Sequence, residues 1–393
     1  MMKNRTEKAD RLQTAIRVLS AALWEHPAPA IPVSEEDYDY LEAQALLALP
    51  KDMVKDLNLS DELREIWKQK LFLHLRAYLQ SLHGLGELTK LLTAEGITPI
   101  VLKGLSFASY YRDPVLRQTG DVDVILHPNT EENFCKARAI MESAGFSDMS
   151  DPNDRRHVTY GKNGVCYELH RYFSHRKNET QLELDRRIDS AVPVEKTIGG
   201  VRFYTLPDLE NGLVMLMHIA LHLPSGLGLR HVLDWFVFAD RIVDESFLTN
   251  GFREAVHVCG LETLMYSLTR MGALWFDLPE QTWCVFRDDA VSAELLDLLI
   301  DSGNFGRSKD PMSRRATTAL NSYMSFRTLQ SHGLVHWKAA QRYKILRPFA
   351  WIYQLCRYLC LAVSRRSVIS SAAGDYRDHR AQKKLFDKLD LQM

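Results

Sequence analysis

The sequence predicts an α+β protein, a small mixed β-sheet core embedded between N-terminal and C-terminal helical regions. Three observations predict it. Apolar residues recur every three or four positions through the first 95 residues, short β-prone runs bounded by Gly and Pro fill the next segment, and the helical period returns after Pro207. The expected organisation is an N-terminal helical region over 1–95, an α/β core over 96–206 and a C-terminal helical region over 207–393.

In the first region Leu12, Ile16, Leu19 and Leu23 share one helix face, and Leu71, Leu75, Leu79 and Leu82 share another. Ser60-Asp61-Glu62-Leu63 offers a helix start, and Glu95-Gly96 a stop. The period then changes. Residues 97–102 read as a strand, 104–111 as a helix, and 122–126 as a second strand between Gly120 and Pro128. Residues 130–144 are helical again. Two more strands, 156–160 and 165–170, flank Gly161-Lys162-Asn163-Gly164, a connection suited to a hairpin. Beyond Pro207, helices over 209–223 and 229–242 form a pair around Pro224-Ser225-Gly226 and Gly228, and further helices follow with a polar loop at 302–308.

The chain has 393 residues, enough for two or three domains, which excludes a peptide hormone, a knottin or a lone zinc finger. Its 46% apolar and 25% charged residues exclude a disordered chain, and a net charge of −1 points to no partner. The charge is uneven, however. Residues 338–393 carry twelve Lys/Arg against four Asp/Glu, a pattern that fits a solvated helical face or a surface for phosphate-bearing partners. Cys135, Cys166, Cys259, Cys284, Cys356 and Cys360 form no C-x-x-C pair, so buried reduced thiols are expected rather than disulfides or a thiolate zinc site. The first residues, Met1-Met2-Lys3-Asn4-Arg5, lack the apolar core of a signal peptide, and a cytoplasmic location is expected. Residues 349–363, interrupted by Gln354 and Arg357, fall short of the ~20 that span a bilayer. They are expected to form a packed helix.

Asp121 and Asp123 flank Val122 on a strand, so both carboxylates project to one side. Two carboxylates held that close repel, and a cation relieves them; oxygen ligands at this spacing suit Mg²⁺ or Mn²⁺. A bare pair of this kind is also explained by two solvent-facing aspartates, so the context matters. Upstream, Leu102-Lys103-Gly104-Leu105-Ser106 runs from a strand through glycine into a helix, where backbone N–H groups can hold phosphate oxygens. Downstream, Glu168 and His170 share a strand face in Tyr167-Glu168-Leu169-His170. Three carboxylates beside such a turn suit a two-metal displacement at phosphorus.

The run Ile100-Val101-Leu102-Lys103-Gly104, then Tyr110-Tyr111-Arg112-Asp113-Pro114, Arg117 and Gly120-Asp121-Val122-Asp123-Val124 resembles the uncharacterised nucleotidyltransferase family of the DNA polymerase β-like superfamily. Tyr167-Glu168-Leu169-His170, Leu206-Pro207-Asp208 and the series His218, His222, Arg230, Asp234 fit the same family. The resemblance implies that Asp121, Asp123 and Glu168 are catalytic and hold the metals, and that Gly104 with Ser106 forms the phosphate-binding turn. Here Lys103-Gly104-Leu105-Ser106 stands in place of the superfamily's adjacent Gly-Ser or Gly-Gly pair. Lys103 and Arg117 would be charges for phosphate oxygens. Alternatively, Lys103 merely snorkels and Arg117 pairs with a strand carboxylate. His170 would orient Glu168, touch the nucleotide, or serve as a buried structural histidine.

His218 and His222 stand four apart on a helix, a spacing for metal sharing or packing, and Arg230 and Asp234 are one turn apart and able to pair. Residues 304–309 resemble part of a phosphate loop without its spacing, and a surface loop explains them. Neither a G-x-S-x-G elbow nor a kinase signature occurs. The function expected is transfer of a nucleoside monophosphate from an NTP, such as ATP, to a hydroxyl or phosphate of a small molecule, peptide or saccharide, with Mg²⁺ or Mn²⁺ as cofactor. A catalytically silent nucleotide-binding module is the first alternative. An RNA-modifying transferase is the second, because Trp337, Tyr343, Trp351 and Tyr353 lie in the basic tail, although their helical spacing also fits core packing.

Overall fold

The computed structural model describes residues 2–151, 154–285, 288–302, 330, 334, 337, 339–340, 343–363 and 382–391. Three helices come first: α1 (Met2–Leu23), α2 (Glu35–Ala43) and the long α3 (Asp61–Thr93). Ser60 caps α3 as its sequence suggests, accepting a hydrogen bond from the Leu63 backbone N–H.

The sheet follows. It is built from β1 (Thr98–Val101), β2 (Val122–His127), β3 (Ser147–Asp148), β4 (His157–Lys162), β5 (Val165–His170), β6 (Val194–Ile198) and β7 (Val201–Thr205), in the order β3-β4-β5-β2-β1-β7-β6. β2 runs parallel to β5 and β1 parallel to β7, and the other pairs are antiparallel. The sheet is therefore mixed, as expected. Between strands lie α4 (Leu105–Ala108), α5 (Glu131–Ser143) and α6 (Glu179–Ser190). Asn163 and Gly164, with φ of 52° and 77°, make the turn of the β4–β5 hairpin.

Three features differ from the sequence reading. The helix expected over 104–111 stops at Ala108, because Tyr110 and Tyr111 leave it to bond Asp208 and Asp234. β3 and the β6–β7 hairpin extend the sheet beyond the four strands expected. Finally, Cys135 and Cys356 are exposed and Cys166 half-buried, while Cys259 and Cys284 fit the expected burial; the Cys360 side chain lies outside the described residues.

Each face of the sheet has its own apolar core. On one, Val101, Val122, Val124, Leu126, Tyr167 and Phe203 pack against Leu85, Leu88 and Leu92 of α3 and Phe134, Ala137 and Met141 of α5. Gly84 lets α3 approach that closely, since an added Cβ would overlap the Tyr167 hydroxyl. On the other face, Ile100, Leu102 and Ile125 join a larger core with α1, α2, α7 (Asp208–His222), α8 (Leu229–Arg241) and the helices after it, α9 (Glu245–Phe247), α10 (Arg253–Val258), α11 (Glu262–Trp275) and α12 (Asp289–Ser302). N- and C-terminal helices thus share one interior. The Trp24 indole N–H donates to the Phe276 carbonyl at 2.6 Å, and the Leu229 N–H to Gln44 Oε1 at 2.8 Å. A last described long helix, α13 (Ala350–Val363), matches the helix expected there. Among the described residues, no helix is long and apolar enough to cross a membrane. The loop at 303–308 and, in the basic tail, residues 338, 341–342, 364–381 and 392–393 lie outside the described residues.

Candidate active site

The candidate site opens between the sheet and the α7–α8 pair. The parallel register of β2 and β5 sets Asp123 directly opposite Glu168. Because side chains alternate along a strand, Cys166, Glu168 and His170 face the same way, while Val165, Tyr167 and Leu169 enter the α3 core. Asp121 lies one step before β2 on the same side, near enough to Cys166 to accept a hydrogen bond from its thiol. Asp121, Asp123 and Glu168 front a cleft of about 270 Å³. Lys103, Gly104, Asp121, Asp123 and Glu168 form its strand wall, and His218, His222, Arg230 and His231 its helix wall.

Gly104 makes the turn out of β1 with φ 58° and ψ −109°, a backbone region essentially reserved for glycine. The preceding Leu102 N–H donates to the Asp123 carbonyl at 3.0 Å, which brings Lys103 alongside β2. Its ammonium lies 2.8 Å from Asp123 Oδ1. His170 Nε2 approaches the same oxygen at 3.0 Å and Glu168 Oε2 at 3.3 Å.

Charge in the cleft is asymmetric. Burial pushes the Asp123 carboxyl up, but Lys103 and His170 outweigh it and hold the group well below the usual carboxylate range. Asp121 goes the other way: burial, then the charges of Glu168 and Asp123, push it up against the Cys166 hydrogen bond. The Cys166 thiol itself is pushed up to about 12 by burial and by Asp121, so it stays protonated. On the helix wall, burial and Lys103 bring His222 down to about 4, and burial lowers His218 and His231 well below the ordinary imidazole value. That wall presents neutral imidazoles at pH 7.

A divalent cation fits this donor set. Three carboxylates front the same cleft, and burial with the neighbouring charges keeps the Asp121 carboxyl raised although the Cys166 hydrogen bond and Lys103 both pull it down. Asp121, Asp123 and Glu168 would hold such an ion through oxygen donors.

The residues read from the sequence divide into two groups. Lys103, Gly104, Arg117, Asp121, Asp123 and Glu168 line the cleft together. Ser106 does not. It is fully buried, its hydroxyl bonded to Thr205 Oγ1 and donating to Asn211 Oδ1 at 3.2 Å, so the phosphate role expected for it is corrected to a structural one. His170, 1% exposed, backs the carboxylates from behind the cleft wall. Arg117 pairs with neither strand carboxylate. Its guanidinium grips Asp234 of α8 through Nε and Nη2 at 2.7 and 2.8 Å, and the Tyr111 hydroxyl donates to the same carboxylate at 3.0 Å. The pairing of Arg230 with Asp234 is corrected accordingly: Arg230 Nη1 instead donates to the Gln118 carbonyl at 3.0 Å. The sequence reading did not single out Arg156, His157 or His231, although Arg156 and His231 line the cleft. The antiparallel register that puts His157 opposite His170 was the available signal.

A mixed sheet that brings carboxylates from neighbouring strands to a cleft roofed by helices has the architecture of a nucleotidyltransferase-class α+β protein. The chain belongs to the uncharacterised nucleotidyltransferase family, whose sequence model matches residues 35–277. No curated protein matches it. Among solved structures, it is similar to an antigenic nucleotidyltransferase-like protein from Paracoccidioides brasiliensis, with 13% identity and a TM-score of 0.33 over 53% of this chain and 97% of that one.

Proposed function

We propose that the protein transfers a nucleoside monophosphate from an NTP to a hydroxyl or phosphate of a small-molecule, peptide or saccharide acceptor, with a divalent ion held by Asp121, Asp123 and Glu168. The observation that carries this reading is the β2–β5 register that faces Asp123 with Glu168, with Asp121 beside them in a cleft that also holds cations. The acceptor oxygen bonds to the α-phosphorus, the bond to the β-phosphate bridging oxygen breaks, and pyrophosphate leaves. When bound by these carboxylates, a divalent ion would supply charge neutralisation for the phosphates and a lowered pKa for the attacking oxygen. Lys103 and Arg230 draw the triphosphate into the cleft, and a carboxylate of the strand wall takes the proton of the attacking hydroxyl. The neutral histidines of the helix wall offer hydrogen bonds to the acceptor without repelling either cation.

The test is a screen of α-labelled NTPs against acceptor pools, with Asp121→Ala as control. Mg²⁺-dependent release of pyrophosphate by the wild-type chain, abolished in Asp121→Ala with the fold intact, supports the reading; retained turnover overturns it. One observation favours a silent nucleotide-binding module instead: Lys103 and His170 both already occupy Asp123 Oδ1. Calorimetric NTP binding, indifferent to Mg²⁺ and without pyrophosphate release, would select that alternative.

A further inference from the structure

We infer that His157, Glu168 and His170 form a distinct cation site of mixed nitrogen and oxygen donors, which takes a borderline transition-metal ion such as Zn²⁺ in preference to Mg²⁺. The sheet assembles it. Antiparallel pairing of β4 and β5 sets His157 directly opposite His170, and Glu168, two residues earlier, shares their face. One donor atom from each of the three lies within 4.8 Å of the others. His157 Nε2 is 3.5 Å from Glu168 Oε1, and His170 Nε2 is 3.3 Å from Glu168 Oε2. Donors bound at about 2.1 Å to a tetrahedral ion lie about 3.4 Å from one another. Both His–Glu168 distances, one to each carboxylate oxygen, are close to that spacing.

Ligation through His170 Nε2 exchanges its hydrogen bond to Asp123 for a bond to the ion. One further observation points to a cation. Lys103 compensates Asp123, but among the described residues the ion-pair partners of Glu168 are the two histidines alone. Imidazole nitrogen favours Zn²⁺, Ni²⁺ or Cu²⁺ over Mg²⁺, which prefers oxygen and retains its water. Three protein ligands leave a position open, as in catalytic rather than structural zinc sites. Glu168 fronts the cleft while His157 fronts a shallower depression beyond β4, so the ion would sit at the boundary between the two.

This inference shares Glu168 with the three-carboxylate set but does not depend on Asp121 or on nucleotidyl transfer. The full chain, stripped with chelator, is dialysed against micromolar Zn²⁺ in millimolar Mg²⁺, and bound metal is counted. One equivalent of Zn²⁺ is expected in the wild type and in Asp121→Ala, with affinity at least ~10-fold weaker in His157→Ala. Absence of bound Zn²⁺, undiminished binding in His157→Ala, or equal loss in Asp121→Ala overturns the site. Should His157→Ala fail to fold by circular dichroism, the Co²⁺-loaded wild type decides: intense visible bands of a low-coordinate nitrogen-ligated ion support it, and the pale spectrum of an all-oxygen octahedral ion refutes it. No turnover is read, so failure of the transfer reading would leave this result standing.

Discussion

Arg117 and Asp234 form a two-pronged ion pair, Nε to Oδ1 at 2.7 Å and Nη2 to Oδ2 at 2.8 Å, that ties the loop before β2 to α8. Both side chains are buried, at 4% and 1% exposure. Removing either partner strands a charge in the interior, so Arg117→Ala and Asp234→Ala should each lose about 3–5 kcal/mol in urea unfolding. Arg117→Lys should not rescue, because an ammonium cannot reproduce the fork.

Lys103→Met should shift acid unfolding to higher pH. The Asp123 carboxyl is held below its unfolded value, so its stabilisation is complete above that value, near ~3.9, and is lost as pH falls toward the depressed folded one. Without the ammonium the folded value rises and the interval of extra stability shrinks. An upward move of the acid midpoint by ~0.5 pH unit, followed by fluorescence, is the expected result.

Asp121→Asn should separate stability from activity. Burial and the neighbouring carboxylates push the Asp121 carboxyl up, so at neutral pH its charge opposes folding in the metal-free chain. The amide should raise Tm slightly in chelator, for a gain of less than about 1 kcal/mol, because the residue as a whole stays open to solvent although the cleft wall partly desolvates its carboxyl. The same substitution should remove metal-dependent turnover. A fall in Tm would contradict the repulsion described in the cleft.

Ser106→Ala and Gly104→Ala should part in their effects. Ser106 lies in a buried network with Thr205 and Asn211, and its loss should cost about 1 kcal/mol with nucleotide affinity unchanged. Gly104→Ala forces a side chain into φ 58° and ψ −109°, costing about 1–3 kcal/mol and displacing Lys103. Nucleotide binding should weaken in the second variant only. Equal loss in both would restore Ser106 to the phosphate site.

Local chemistry made part of this legible. Polar Cys166, Glu168 and His170 alternate with apolar Val165, Tyr167 and Leu169, and Asn163-Gly164 marks the turn, so β4, β5 and the face carrying Glu168 follow from period and turn preference. β6 escaped because it is an edge strand, exposed at Val194 and Glu195 and lacking apolar contrast. Ser106 was misjudged because the groups that claim its hydroxyl, Thr205 and Asn211, lie about a hundred residues on. The partner of Arg117 is as distant. Composition places an arginine near a carboxylate pair; only the packing of α8 decides which carboxylate it meets.

The shared interior of the first and last helices bears on how the chain is made. Trp24 leaves the ribosome some 250 residues before the Phe276 carbonyl that accepts its indole N–H, and Gln44 leaves long before Leu229. Until then Leu19, Leu41 and Leu47 have no finished surface to rest on. Folding of this protein therefore waits on synthesis rather than keeping pace with it, and the nascent N-terminal helices need shelter, by a chaperone or by one another, for most of translation.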